Sequence, residues 1–356
     1  MMWRKVSLGE VCELRYGKSL VKETRVQDGA YPVYGSSGIV GHHDEFLVDG
    51  PCLVVGRKGS IGTVFFSERP CYPIDTAYFV HCKEEINLRF LYYQLSTLRL
   101  SELNKAAAVP GLNREDAYRK LITLPPLDVQ HQIADTLDKA DALRRKDQEL
   151  LQKYNELAQS IFYEMFGDPI ENTKKWEVKS LGELTRKITD GTHQTPTYVE
   201  SGVPFLRVTD LTGSNTSKKF ITREEHLTLT KRCKPERGDV LYSKNGTIGV
   251  AKVVDWDYEF SIFVSLCLLK VKTELLNPKF LEFFLNTPFA LNQAKKHSKT
   301  GTVTNLHLNE IKNILVPVPE RVIQEQFLHA VTSIEAQKSL VRHSEGLFDT
   351  VLNSHF

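Results

Sequence analysis

The sequence predicts an α+β chain, with two pseudo-symmetric α/β domains separated by two long helices that form an antiparallel coiled coil. Two observations predict it. The chain of 356 residues repeats itself block by block. Each copy also ends in a long segment whose periodic positions step by 4 and 3, the spacing of a coiled-coil seam.

The repeat is collinear. WRKVSLGE at 3–10 and WEVKSLGE at 176–183 share Trp, Ser, Leu, Gly and Glu at an offset of 173. Gly59-Ser60-Ile61-Gly62 matches Gly246-Thr247-Ile248-Gly249 at 187, and the segments 87–95 and 277–285 match at 190. Ile122–Leu127 matches Ile314–Pro319 at 192, and Gln130–Ile133 matches Gln324–Phe327 at 194. The order is kept while the offset only grows, as expected of one scaffold whose second copy gained short loop insertions.

Each copy opens with a short helix, at Leu8 or Leu181. Short β-branched and aromatic runs broken by glycine then predict strands at Cys52–Gly56, Thr63–Phe66 and Ala77–Val80. Their second-copy counterparts are Asp239–Tyr242, Val250–Val254 and Phe260–Val271. A helix follows near 88–98 and again near 278–292. Pro125-Pro126 and Pro317/Pro319 mark extended breaks.

After each break a long helix is predicted. The first carries Ile133, Leu137, Ala140, Leu151, Tyr154, Ala158, Ile161 and Met165, with Arg144 and Asp147 as polar interruptions of the same series. The second carries Phe327, Val331, Ile334, Val341, Phe348 and Leu352, with polar Lys338 and Glu345. A helix over 130–166 would be about 55 Å long at about 1.5 Å per residue. Such a pair would act as a ruler between the two copies.

Composition narrows the function classes. The chain is 41% apolar and 25% charged, which is globular, and no low-complexity linker is present. Net charge is only +2, but residues 130–166 and 324–356 each carry −2, leaving +6 for the rest. That alternation permits phosphate binding outside the long helices. Cys12, Cys52, Cys71, Cys82, Cys233 and Cys267 form no CxxC pair and read as reduced thiols of a cytoplasmic protein. The start, MMWRKVSLGE, lacks the apolar core of a signal peptide. The most apolar stretch, Phe260–Leu269, is about half of what a spanning helix needs, so a membrane role is not expected.

The domain starts WRKVSLGE and WEVKSLGE, the segment LPPLDVQHQIADTLDKADALRR (124–145) and the block FYEMFGDPIENTKKW (162–176) together resemble the specificity subunit of Type I restriction–modification systems. The resemblance covers essentially the whole chain. It implies target-recognition domains over 1–124 and 168–317, with helical spacers over 125–167 and 318–356. It also implies that each domain reads one half of a bipartite double-stranded DNA target. The helices would dock two modification subunits, to which S-adenosylmethionine binds, and motor-nuclease subunits would join them. No cofactor or metal is then expected in this chain. One departure is VPVPERVIQEQF (316–327), where the second copy shows two extra residues between proline and the Gln-x-Gln pair.

Reading DNA needs donors and acceptors at base edges, with cations and backbone amides at phosphates. The loop with Arg57, Lys58 and Ser60 supplies both, as does its counterpart Ser243, Lys244, Asn245 and Thr247. A plain hairpin turn with solvated lysines would look the same. A second polar loop holds Tyr34, Ser36 and Ser37, followed by His42 and His43; no third ligand stands at metal-site spacing from those histidines. In the second copy Thr192, His193, Arg207 and Thr209 stand in comparable loops. Lys295, Lys296 and Lys299 form a basic cluster, and Asn113 with Arg114 holds the matching place in the first copy. Charge runs are often merely solvated faces.

Catalytic motifs are missing. Adenine methylation in this class needs [Asn/Asp]-Pro-Pro-[Tyr/Phe], and Asp168-Pro169-Ile170-Glu171 fails at both later positions. Glu236, Asp239 and Lys244 lack the compact spacing of a nuclease cluster. Two other classes stay open at this level: a stand-alone DNA-modifying enzyme, and a duplicated protein-binding adaptor.

Overall fold

In the first copy the strands are β1 Arg4–Ser7, β2 Cys12–Tyr16, β3 Tyr31–Gly35, β4 Gly38–His43, β5 Cys52–Gly56, β6 Val64–Ser67, β7 Tyr72–Pro73, β8 Ala77–Cys82 and β9 Leu121–Leu124. In the second they are β10 Glu177–Ser180, β11 Thr185–Asp190, β12 Val203–Leu206, β13 Phe220–Ile221, β14 Val240–Ser243, β15 Ala251–Val253, β16 Ser261–Ile262, β17 Leu266–Val271 and β18 Leu315–Val318. The computed structural model describes residues 3–103, 111–169, 171–211, 217, 219–297 and 305–356. Two units result, Met1–Leu151 with Ser339–Phe356 and Gln152–Lys338.

The two units share one topology. A four-stranded antiparallel sheet runs β2-β8-β5-β6 in the first and β11-β17-β14-β15 in the second. A three-stranded sheet, β4-β3-β7 or β13-β12-β16, adds one parallel pair, β3 with β7 or β12 with β16. Each unit is closed by its first strand pairing with the strand before the long helix, Arg4↔Leu124 and Glu177↔Val318.

That closure corrects one alignment. The register matches Leu121 with Leu315, so Pro125 corresponds to Pro319 and nothing is inserted before the Gln-x-Gln pair. The two residues were gained upstream. The buried Gln130 and Gln324 then do the same work. Each accepts from a backbone amide, Asn87 N at 2.9 Å or Asn277 N at 2.8 Å, and donates to the preceding proline carbonyl, Pro125 O at 2.9 Å or Pro319 O at 2.8 Å.

Two other expectations change. The apolar run Phe260–Val271 is two strands in different sheets, split by a turn in which Leu266 N donates to Phe263 O. Continuous apolarity cannot reveal such a break. The helix expected near 278–292 is also two, Pro278–Leu285 and Pro288–His297. Asn286 ends the first by exchanging two 3.0 Å bonds with the backbone of Ala251, and Pro288 starts the second, where its missing N–H costs nothing. Helices Leu88–Thr97 and Pro278–Leu285 are each capped by an asparagine side chain, Asn87 and Asn277.

The long helices span Leu127–Phe166 and Arg321–His355. Within 140–158 of the first, Ala140, Asp141, Arg144, Asp147, Leu151, Tyr154 and Ala158 are withdrawn from solvent while all other residues are exposed, which is the 4,3 seam with Asp141 added. Arg144 fits it because its guanidinium lies 5.1 Å over the Phe348 ring and bonds Asp141 at 2.6 Å. In the second helix Phe327, Ile334 and Lys338 are buried, and Lys338 Nζ bonds Glu335 at 2.5 Å. Within the first unit the first half of the first long helix meets the end of the second, Arg144 against Phe348, and within the second unit Phe162 meets Phe327 (5.7 Å). Ile133 and Leu137 enter the core of the first unit with Phe348 and Leu352; Phe162 and Phe166 enter that of the second with Phe280 and Phe327. Among the described residues no helix is long and apolar enough to cross a membrane.

Candidate nucleic-acid interface

The glycine loops after β5 and β14 are built by the same hydrogen bonds. Gly56 N donates to Thr63 O and Gly62 N to Gly56 O, both at 2.8 Å; Ser243 N donates to Val250 O at 2.8 Å and Gly249 N to Ser243 O at 3.0 Å. Next, Arg57 N bonds Thr76 O and Lys244 N bonds Ser265 O, both at 2.9 Å. Their carbonyls accept from Leu112 N and Leu306 N, both at 2.8 Å. Arg57 and Lys244 thus occupy one place in the fold.

Their side chains differ. The Arg57 guanidinium lies 4.7 Å over the Tyr16 ring and donates to Asp75 O at 2.8 Å. Arg114 lies 4.7 Å over the same ring. These residues, with Lys58 and Asn113, line an open cleft of about 450 Å³. Tyr78 forms its inner wall, 5.1 Å from Tyr16, with its hydroxyl donating to Leu112 O at 3.0 Å. Burial, with Tyr16 close by, pushes the Tyr78 phenol up and keeps it a neutral donor.

In the second unit Lys244 Nζ lies 3.5 Å from Asp190 Oδ2, and both side chains are buried. Asp190 also meets His193 Nε2 at 3.0 Å and Arg232 at 3.2 Å. Thr192, His193 and Arg232 line a cleft of about 310 Å³. Both sequence readings of Lys244, a cation for phosphate and a solvated turn lysine, place it at the surface; it is instead half of a buried ion pair, because the carboxylate at the end of β11 draws it inward. Ser243 is likewise fully buried, its Oγ accepting from Val250 N at 2.8 Å. Tyr34, expected on a polar loop, is buried among Cys52, Val54, Cys71 and Ala77.

The remaining candidates scatter. Lys58, Ser60, Ser37, Thr247 and Thr209 are exposed; Ser36, His42 and Asn245 are half-buried. His43 packs edge-on to Tyr72 at 5.6 Å. Asn113 caps the helix Arg114–Tyr118, accepting from Glu115 N. Arg207 pairs with Asp210 at 3.3 Å. Lys295 and Lys296 are exposed at the end of Pro288–His297, and Lys299 lies outside the described residues.

Sequence reasoning passed over Tyr16 and took Asp190 only as part of the polar loop 189–193, not as the group that holds its cations. A signal was available. Each directly precedes a glycine, Gly17 or Gly191, at an offset of 174, one more than the preceding block. An irregularity in β11 between Thr185 and Lys187 absorbs that residue. Tyr16 then pairs with Tyr78 in β8 as Asp190 pairs with Cys267 in β17. Both glycines are required by close approach, since a Cβ would stand 2.2 Å from Ile74 O or 2.0 Å from Ile262 O.

Two copies of one α/β unit, each with the same hydrogen-bonded loop after β5 or β14 and a polar cleft beside the end of β2 or β11, define a duplicated binding protein. The family model described as "Type I restriction modification DNA specificity domain" matches residues 2–154 and 173–344, and the chain belongs to that family. It is 23% identical over 329 residues to the specificity subunit of the Type I restriction enzyme EcoBI of Escherichia coli, covering 83% of this chain and 66%, just under two thirds, of that subunit. It is 22% identical over 344 residues to a putative type I specificity subunit of Mycoplasma pneumoniae, covering 92% of this chain and 87% of the relative. The fold is shared with the crystal structure of a Type I S subunit from M. genitalium, at a TM-score of 0.61 and 17% identity over 99% of this chain and 94% of that one.

Proposed function

We propose that this chain is the non-catalytic, sequence-reading subunit of a Type I restriction–modification complex, each unit taking one half of a bipartite duplex target. The observation that carries this reading is the duplicated loop, held by the same hydrogen bonds in both units and carrying unlike side chains, Arg57 over Tyr16 in one and Lys244 on Asp190 in the other. A common scaffold with divergent linings suits two readers of different half-sites. S-adenosylmethionine belongs on this reading to the partner modification subunits, and motor-nuclease subunits complete the assembly.

Docking of modification subunits on the long helices is supported by a second 4,3 series. Lys139, Leu143, Lys146, Leu150, Lys153 and Leu157 step by 4,3,4,3,4 along the first helix, and all six are exposed. Exposed leucines at heptad spacing suit a further helix packing alongside.

The test is a domain exchange. With the modification subunit co-expressed, methylated adenines are mapped across the host genome for the wild type and for a chain whose residues 1–120 come from another family member. One half of the motif should change while the other half stays. Change in both halves, or methyl transfer by the purified chain alone, overturns the reading.

A further inference from the structure

The residue that ends the edge strand β2 or β11 of each four-stranded sheet stands at the same register position and holds the cations beside its cleft. In the first unit it is Tyr16, with Arg57 and Arg114 each 4.7 Å from its ring. In the second it is Asp190, with Lys244 at 3.5 Å, His193 at 3.0 Å and Arg232 at 3.2 Å. We propose that Tyr16 and Asp190 are the positioning residues that set the two half-site specificities, by fixing which donors each cleft presents. The proposal rests on the DNA-reading function above.

The chemistry differs between the units. A ring engages a guanidinium by its face and leaves the edge donors available. Arg57 spends one of them on Asp75 O, and Arg114 makes one long contact, 3.4 Å, to Leu14 O. The first cleft therefore presents two oriented guanidinium edges and the exposed Lys58 amine, a donor array for the acceptor pair of guanine or for phosphate oxygens. A carboxylate instead binds its cations through their donors. Arg232 gives its Nη2 to Asp190 Oδ1 and to the carbonyls of Asp190 and Gly191 while its side chain stays half exposed, and Lys244 is buried. The second cleft therefore presents one guanidinium fixed by Asp190 beside the exposed His193 and Gln194. The first half-site should thus be read mainly by two guanidinium edges and an amine, and the second by a single guanidinium and neutral groups whose placement depends on Asp190.

The test uses the full chain assembled with its modification subunit and a randomised duplex library, with bound sequences read out. The wild type should select a bipartite motif. Tyr16→Ala should lower base discrimination about 10-fold in one half and leave the other unchanged; Tyr16→Phe, which keeps the ring, should restore it. Asp190→Asn should blur the opposite half. Thermal unfolding of the first unit should be the same for Tyr16→Ala and Tyr16→Phe. The proposal is overturned if Tyr16→Ala keeps both halves sharp, if Tyr16→Phe is as damaging as Tyr16→Ala, or if either variant blurs both halves. Should Asp190→Asn unfold its unit, the Tyr16 pair decides alone. A wild type that selects no bipartite motif refutes the DNA-reading function itself, a result distinct from any of these.

Discussion

Lys244 Nζ lies 3.5 Å from Asp190 Oδ2 with both side chains buried, at the place where the first unit holds Arg57 over Tyr16. A buried ion pair broken on one side leaves an uncompensated charge. Asp190 keeps His193 and Arg232, so the loss is partial. Lys244→Ala is expected to destabilise the second unit by about 2–3 kcal/mol, within the range for stranding a charged buried group. Urea denaturation measures it. A phosphate contact at Lys244 would instead steepen the salt dependence of DNA affinity; that slope is expected to stay unchanged.

Gln130 and Gln324 make the second testable pair. Each is buried, and its side chain bonds both the amide that opens a domain helix and the proline carbonyl before a long helix. Truncation to Ala strands both partners, at about 1–3 kcal/mol for each unit. Gln130→Ala should lower the unfolding midpoint of the first unit alone, and Gln324→Ala that of the second. Equal loss in both units from either variant would contradict the local role.

What could be read from the sequence follows from what repeats. The duplication, the loop Gly59–Gly62 and the 4,3 seams recur as residue identities or spacings, so they are visible without coordinates. Their physical meaning is less visible. Gly62 and Gly249 match because both adopt a positive φ, +73° and +88°. The paired cleft residues were hidden because Tyr16 and Asp190 share a position but no chemistry, and a one-residue irregularity shifts the offset. Lys244 looked like a surface cation because nothing in the sequence around it announces the buried carboxylate.

That glycine pair separates two kinds of close approach. At Gly62 a Cβ would meet backbone, Ser101 N at 2.5 Å and Leu100 C at 2.6 Å. At Gly249 it would meet only the tip of Leu291, at 2.5 Å. Both substitutions carry the positive-φ cost of about 1 kcal/mol, but only Gly62→Ala must also move main chain. Thermal melts should show Gly62→Ala as the more damaging of the two by at least about 1 kcal/mol.

A pH dependence is expected from His226. It is buried on the helix Arg223–Thr230, with Nδ1 2.9 Å from Ser261 Oγ. Burial holds its imidazole below the ordinary value, with Arg223 adding to the effect and Glu259 opposing it. The unfolded chain then binds the proton more readily than the folded one. Stability is full above the unfolded value of about 6.5 and falls as pH drops below it towards the folded value. His226→Gln should flatten that slope just below about pH 6.5, with other histidines left in place. An unchanged slope would assign the dependence elsewhere.

The outer series on the first long helix separates assembly from folding. Leu143 is 54% exposed, Leu150 38% and Leu157 46%, so replacing them removes little buried area from this chain. Leu150→Asp is therefore expected to shift stability by less than about 0.5 kcal/mol. In a docked helix pair the same change would bury a charge against an apolar partner, which is strongly unfavourable. The alternating Lys139, Lys146 and Lys153 add that the partner helix should carry acids opposite them. Lys146→Glu with Lys153→Glu should then slow association with the modification subunit and weaken its salt dependence. Buried seam variants such as Leu137→Ala, by contrast, should cost about 2–5 kcal/mol of stability before assembly is reached. Co-purification and calorimetric unfolding of the same variants separate the two faces. An outer-face variant that assembles normally would move the docking surface off this helix.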